Sequence, residues 1–102
     1  MKSKLQKIIA FPASVLSKLN SIQQALGRIE TRLNENLTSD NINDYEFKVS
    51  SQWGEDGIIQ YLIKNMEITN QIFIEFGVEN YTESNTRFLL QKNNWKGLII
   101  IF

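Results

Sequence analysis

The C-terminal third of the chain contains two apolar runs, residues 72–76 (IFIEF) and 98–102 (LIIIF), which constrain the fold more than any other feature. Both are rich in β-branched and aromatic residues without regular polar alternation, which is typical of parallel strands buried on both faces. Between them lie about ten residues of helical character, beginning near Ser84. A strand–helix–strand unit needs roughly 30 residues. The sequence therefore predicts one parallel β-α-β unit over residues 72–102.

The segment before this unit has the pattern of another helix. Its apolar residues recur at helical spacing, and we predict a helix over residues 52–65. Glu55 and Asp56 then fall in the first turn, where the helix dipole favours negative charge. Residues 45–50 alternate in polarity and predict a short extended segment. Residues 38–44 are a cluster of turn formers and predict a linker.

The first third of the chain carries an a/d heptad pattern, in which apolar residues alternate at spacings of three and four. The positions are Leu5, Ile8, Pro12, Val15, Leu19, Ile22, Leu26, Ile29 and Leu33. Since proline is tolerated in a first helical turn, we predict a helix from about residue 12 to residue 37. Two interpretations stay open. The helix could be a coiled coil that joins copies or docks on a partner, or an amphipathic helix lying on its own domain. The flanking e and g positions are mixed and by themselves select no partner.

The amino-acid composition limits the chemistry that the chain can perform. The 102 residues allow one domain and include no cysteine and no histidine, so disulfides, thiolate metal sites and the commonest general base are excluded. We predict no metal site, and any chemistry must rest on carboxylates, amides, hydroxyls and backbone groups.

The net charge is zero and unevenly placed. Residues 1–37 carry six basic and two acidic side chains, whereas residues 38–102 carry five basic and nine acidic ones. A balance this mild predicts no nucleic-acid partner, which would need a concentrated basic face. Because no apolar stretch approaches the ~20 residues of a membrane span, we also expect no such span and a cytoplasmic location.

The end of the first predicted strand, Glu75-Phe76-Gly77, is the candidate site, because α/β folds bind ligands at the carboxyl ends of their strands. A glycine there lets the backbone pass close to a ligand. The dinucleotide pattern of three glycines is incomplete, and Glu79 and Glu83 would repel a pyrophosphate. A cofactor without phosphates, bound through sugar hydroxyls and an amino-acid moiety, suits this acidic loop better. Ser84 is the natural N-cap of the helix that follows.

Four segments together resemble a known family: residues 51–57 (SQWGEDG), 73–77 (FIEFG), 83–86 (ESNT) and 95–100 (WKGLII). They resemble the first part of FkbM-type S-adenosylmethionine-dependent methyltransferases, which often accompany sugar and polysaccharide biosynthesis. The resemblance covers about residues 45–100. It implies a Rossmann-like fold, S-adenosylmethionine as cofactor, and a small molecule or glycan as methyl acceptor.

The resemblance also implies a set of cofactor-binding residues but names no catalytic one. The loop around the methionine part of the cofactor would comprise Glu75, Gly77, Val78, Glu79 and Asn80, with Glu55 and Asp56 near the mouth of the site. In the family, an acidic residue after the second strand holds the ribose hydroxyls, and here Ile101 and Phe102 stand in that place. We therefore expect a truncated unit with weak or absent cofactor binding, no turnover by this chain alone, and self-association through bare strand edges.

Simpler roles for the same residues stay open. Glu75 could end a strand in solvent, and Glu55 and Asp56 could be helix-start charges only. We expect Trp53 and Trp95 to be packing anchors rather than platforms for a base, and Phe88, Leu89 and Leu90 to be core. Residues 88–90 lie on the predicted crossover helix.

The predicted organisation is thus a helical arm over residues 1–37, a linker over 38–44, and a truncated methyltransferase-like α/β domain over 45–102. A rival function is a non-enzymatic helical interaction or oligomerisation module, carried by residues 12–37.

Overall fold

The computed structural model describes residues 12–101. In chain order they form α1 (Ala13–Asn34), a 3-10 turn (Ile42–Tyr45), α2 (Glu55–Asn65), β1 (Ile72–Val78), α3 (Arg87–Asn93) and β2 (Lys96–Ile101). The predicted mixed α/β class and the parallel β-α-β order are confirmed. Three residues assigned by sequence to the heptad pattern or the last strand, Leu5, Ile8 and Phe102, lie outside the described range.

The two strands pair in parallel, with Ile72 opposite Lys96 and Phe76 opposite Ile100. The register then slips, and Val78 pairs with Ile101. Gly77 has a φ of 80°, a left-handed conformation that glycine adopts readily. The strand predicted to stop at Gly77 therefore continues through it as a bulge and ends at Val78.

One face of the sheet is covered by helices. Phe73 of β1 packs with Leu89 of α3 and with Trp95, and Ile59 and Ile63 of α2 lie against the same cluster. Trp95 thus has the packing role predicted for it. The opposite face is bare within the described chain and consists of Ile72, Ile74, Phe76, Leu98 and Ile100. The expected burial of both faces is wrong for these residues, because α2 and α3 pack on the same side.

A second core cluster joins Phe47 and Val49 to Phe88 of α3. The rings of Phe47 and Phe88 meet edge to face, with centroids 5.8 Å apart. The alternation of residues 45–50 reflects burial: Tyr45, Phe47 and Val49 are buried, and Glu46 and Lys48 between them are exposed. It was wrong in predicting an extended segment from residue 45, because Tyr45 ends a 3-10 turn. The backbone groups beyond it bond to the start of α2 rather than to a neighbouring strand.

Three helix boundaries differ from the sequence prediction for identifiable reasons. Helix α2 begins at Glu55 rather than near residue 52, because Gly54 has a φ of 119° and turns the chain out of helical geometry. Helix α1 ends at Asn34 rather than near Leu37, because the N–H groups of residues 35–37 bond to carbonyl oxygens three residues back, as in a 3-10 turn. Helix α3 is assigned from Arg87, two residues after the predicted start.

Two single-residue expectations are also corrected. Leu90 lies on the exposed side of α3, whereas its neighbours Phe88 and Leu89 are core as predicted. Trp53 is 76% exposed and anchors no packing within the described residues. It stands in the loop before α2, where no helix covers it.

Helix α1 lies on the domain through its small and polar face. Gln24 and Gly27 are buried, and the amide of Asn34 donates to the carbonyl oxygen of Tyr45 at 3.0 Å. A Cβ atom on Gly27 would lie 2.5 Å from Cγ2 of Val49, so only glycine allows this approach. Helix α1 therefore does lie on its own domain, as one of the two interpretations had it, but through this face and not through its apolar stripe. No helix among the described residues combines the length and apolar character needed to cross a membrane.

Two glycine substitutions should distinguish a contact with rigid backbone from a contact with side chains that can adjust. A Cβ on Gly57 would overlap the carbonyl oxygen of Tyr45 and lie 2.5 Å from the backbone nitrogen of Phe47, neither of which can rotate away. A Cβ on Gly27 meets only side chains. We expect Gly27→Ala to lower the free energy of unfolding by about 1–3 kcal/mol, and Gly57→Ala to lower it by more.

Urea unfolding of both variants measures the difference. Ser21→Ala on the exposed side of α1 is the control and should change stability by less than about 0.5 kcal/mol. A Gly57→Ala variant as stable as the wild type would contradict the close approach of α2 to residues 45–47.

Candidate functional site

The loop before α2 is wound around the side chain of Asp56. Oδ2 of this buried carboxylate accepts the backbone N–H groups of Val49, Ser50 and Ser51 at 2.7, 2.7 and 2.8 Å. It also accepts the hydroxyl of Ser51 at 2.9 Å, and the same hydroxyl oxygen accepts the N–H of Asp56 at 3.1 Å. The carboxylate of Asp56, which the resemblance places near the mouth of the site, is thus enclosed by the loop that forms the wall of the site. Contact between Asp56 and a cofactor stays a prediction.

Glu55, next to it, behaves as a helix-start charge. Its Oε2 accepts the N–H of Trp53 at 2.9 Å at the surface. Desolvation pushes the pKa of Glu55 upward, but hydrogen bonds from its own backbone, from Trp53, Ser51 and Gly54 outweigh this and hold the pKa below its ordinary value. The stabilisation by this carboxylate is present above its ordinary pKa and is lost as the pH falls through the lowered one.

The carboxylate of Glu75 holds the N-terminus of α3. Oε2 accepts the N–H of Asn85 at 3.0 Å, and Oε1 accepts the N–H of Thr86 at 3.0 Å as well as its hydroxyl. The hydroxyl of Ser84 accepts the N–H of Arg87 at 3.2 Å, but the N-cap residue of α3 is Thr86, two residues after the N-cap predicted at Ser84. The N–H groups of residues 85–87, which lead into the helix, are therefore satisfied by two side chains. The carboxylate is also placed where the helix dipole favours it.

The Asp56 loop and the Glu75 contact are joined by the backbone. The N–H of Ser84 donates to the carbonyl oxygen of Ser50 at 2.9 Å. This bond ties the loop before α2 to the start of α3, beside the carboxyl end of β1. Both loops therefore border one concave surface.

That surface is a cleft of about 520 Å³ at the carboxyl end of β1. It brings together five of the seven sequence-predicted residues, whereas Glu55 and Asp56 are not on its lining. The predicted lining residues are Glu75, Gly77, Val78, Glu79 and Asn80, and the additional ones are Gln52, Thr82, Glu83, Ser84 and Asn85. Of the additional ones, Gln52 carried no chemical signal in the sequence, and only folding of its loop places it here.

The cleft is acidic. Glu75, Glu79 and Glu83 line it, and none of the lining residues is basic. Arg87 reaches the same loop, where its Nη1 donates to the carbonyl oxygen of Thr82 at 3.4 Å. The site therefore favours a cationic or hydrogen-bond-donating ligand over a polyphosphate.

Tyr81 does not line the cleft, but it supports the Glu75 contact beside it, and sequence reasoning missed this role. Its hydroxyl lies 2.9 Å from that of Thr86, which itself donates to Glu75. Burial raises the pKa of Tyr81, the hydrogen bond with Thr86 opposes this, and the negative charge of Glu75 adds to the increase. The phenol is therefore neutral near pH 7, and the stability it contributes is lost only as the pH rises through its raised pKa. No sequence pattern marked this residue.

A second cleft of about 450 Å³ lies between α1 and α2. It includes Tyr45 and Tyr61, whose rings stack with centroids 4.0 Å apart. Its lining includes no residue of β1 or β2 and combines Glu35 and Asp40 with Lys64. We therefore place the candidate site at the end of β1, where α/β folds bind their ligands.

Comparisons with protein-family models, with curated proteins and with solved structures found no match to this chain. Within residues 12–101, no group of acidic side chains is arranged to hold a metal ion.

The adjacent carboxylates of Glu55 and Asp56, in the first turn of α2, should differ sharply in their effect on stability. Asp56→Ala leaves the N–H groups of residues 49–51 without their acceptor, and we expect the free energy of unfolding to fall by about 3 kcal/mol or more. Glu55→Gln keeps an oxygen for the N–H of Trp53 at the surface and should cost less than about 1 kcal/mol. Urea unfolding of both variants tests this, and equal losses would contradict the structural role of Asp56.

Proposed function

We propose that residues 45–101 form the cofactor-binding β-α-β unit of a Rossmann-like, FkbM-type S-adenosylmethionine-dependent methyltransferase. The observation that carries the proposal is the acidic cleft at the carboxyl end of β1, lined by Glu75, Gly77, Glu79 and Asn80. These residues belong to the segments on which the family resemblance rests.

The charge of the cleft suits this cofactor. S-adenosylmethionine carries a sulfonium and an ammonium group, both cationic, and has no phosphate. Three carboxylates without a basic partner on the lining favour such a ligand and disfavour a nucleotide polyphosphate. The volume of about 520 Å³ falls within the usual range for small-molecule sites.

The backbone of the cleft also suits a closely bound ligand. Gly77 stands in a left-handed conformation at the bulge in β1 and carries no side chain there. The chain can therefore turn out of the sheet and present the backbone of residues 77–80 to the cleft. Glu75 holds the opposite wall by fixing Asn85 and Thr86.

The reaction of the proposed class is methyl transfer to an oxygen or nitrogen atom of a small molecule or glycan. The bound cofactor supplies an electrophilic methyl carbon on a sulfonium. Because the chain has no histidine and no cysteine, carboxylates are the candidate groups to accept the proton of the acceptor. We assign no catalytic residue.

A second candidate function, a helical oligomerisation module, is favoured by a separate observation. The apolar a and d positions of α1 are exposed to solvent.

Ligand titration of the isotopically labelled chain, followed by nuclear magnetic resonance, tests the cofactor proposal. We expect S-adenosylmethionine to shift the amide signals of residues 77–80 and Asn85 with a dissociation constant of about 1 mM or weaker, under ~4 kcal/mol of binding. Affinity should be low because a single β-α-β unit walls the cleft. ATP at the same concentration should leave these signals in place, since its phosphates meet Glu79 and Glu83.

A matched double variant, Glu79→Gln with Glu83→Gln, separates the effect of charge on ligand binding from the effect of cleft shape. It should weaken the response to S-adenosylmethionine and relax the exclusion of ATP. A stronger response to ATP than to S-adenosylmethionine in the wild type, or no response of these residues to S-adenosylmethionine at about 10 mM, would overturn the proposal.

A further inference from the structure

Helix α1 exposes a continuous apolar stripe. The heptad stripe consists of Val15, Leu19, Ile22, Leu26, Ile29 and Leu33, each at an a or d position. All six side chains are exposed, up to 67% for Leu33, and the neighbouring Leu16 is 54% exposed. An apolar stripe of this length on a protein surface marks an interaction site.

The opposite side of the same helix holds it on the domain. Gln24 and Gly27 occupy f and b positions, which lie across the helix axis from the a/d stripe, and both are buried. The side-chain amide of Gln24 donates to Oε1 of Gln91 on α3, and Gly27 lies against Phe88. The stripe can therefore be covered by a partner without displacing α1 from its domain.

We propose that α1 assembles with the same helix of two or three further copies of this chain into a parallel coiled coil. The residue types at the a and d positions indicate the number of copies. Every a position in the stripe is leucine (Leu19, Leu26, Leu33), and every d position is β-branched (Val15, Ile22, Ile29). Leucine at a with isoleucine at d favours trimers and tetramers over dimers.

The charges beside the stripe disfavour an antiparallel orientation. In an antiparallel pair, g positions face each other, which places Lys18 against Arg32 in both directions. In a parallel assembly each g residue faces an e residue of the next heptad, so that Lys18 meets Gln23 and Ala25 meets Glu30. Only the antiparallel arrangement brings like charges together.

Helix α1 is also folded before it assembles. It spans 22 residues, about three heptads, and is already formed and docked in the single chain. Association therefore does not have to bear the cost of helix nucleation. The assembly does not depend on cofactor binding, because the stripe and the cleft of β1 have no residue in common.

Sedimentation equilibrium of the full chain tests the proposal. We expect a mass three or four times that of the 11.9 kDa chain. Leu26→Lys places a charge at a central a position and should give a monomer. Because Leu26 is exposed in the single chain, the circular dichroism of the folded domain should be unchanged. Arg28→Ala, at an exposed c position, is the matched control and should keep the assembly.

Three results would overturn the proposal: a monomeric or dimeric wild type, an assembly that survives Leu26→Lys, or a monomer that instead sediments with anionic lipid vesicles. Ile74→Lys, on the bare face of the sheet, tests whether the copies associate through their sheets instead. If this substitution abolishes association while Leu26→Lys does not, the copies meet through their sheets.

The orientation has its own test, because the chain has no cysteine of its own. Leu19→Cys should form a disulfide between copies under mild oxidation, since identical a residues face each other only in a parallel assembly. In an antiparallel assembly Leu19 faces Ile29 instead. Cross-linking that requires a mixture of Leu19→Cys and Ile29→Cys chains would therefore contradict the parallel arrangement.

Discussion

The carboxylate of Glu75 joins the two parts of the molecule on which the candidate site depends, the end of β1 and the beginning of α3. It accepts the N–H groups of Asn85 and Thr86 at 3.0 Å each. Helix α3 has only seven residues, too few to be stable alone in water. Its packing through Phe88 and Leu89 and its anchored N-terminus together hold it against the sheet. The wall of the cleft is thus positioned by a residue of the strand itself.

Asp56 performs a similar task on the other side of the cleft, where it gathers the N–H groups of residues 49–51. The bond from Ser84 to Ser50 connects the two arrangements. The acidic residues around the cleft therefore divide into two groups. Glu75 and Asp56 organise backbone, whereas Glu79 and Glu83 are exposed and contribute charge to the opening.

The sequence predicted the β-α-β unit because its two apolar runs permit little else, and it predicted the loop from Glu75 to Asn80 because that loop follows a strand. It could not predict which sheet face is bare, since a continuous apolar run has no polar side to mark solvent. Likewise, heptad spacing predicted helix α1 but not its docking face, because Gly27 and Gln24 carry no apolar signal. The burial of Asp56 was equally hidden, as a helix-start carboxylate ordinarily lies in solvent. These features are decided by tertiary contacts.

Amide hydrogen exchange of Glu75→Ala tests whether Glu75 fixes the start of α3. We expect exchange roughly ten to a hundred times faster at Asn85 and Thr86, because their hydrogen bonds to a charged acceptor are lost. Amides in the middle of α2 should keep their wild-type rates, and Glu79→Ala, on the same loop, should leave both residues protected. Unchanged exchange at Asn85 and Thr86 in the Glu75→Ala chain would show that Glu75 does not hold the start of α3.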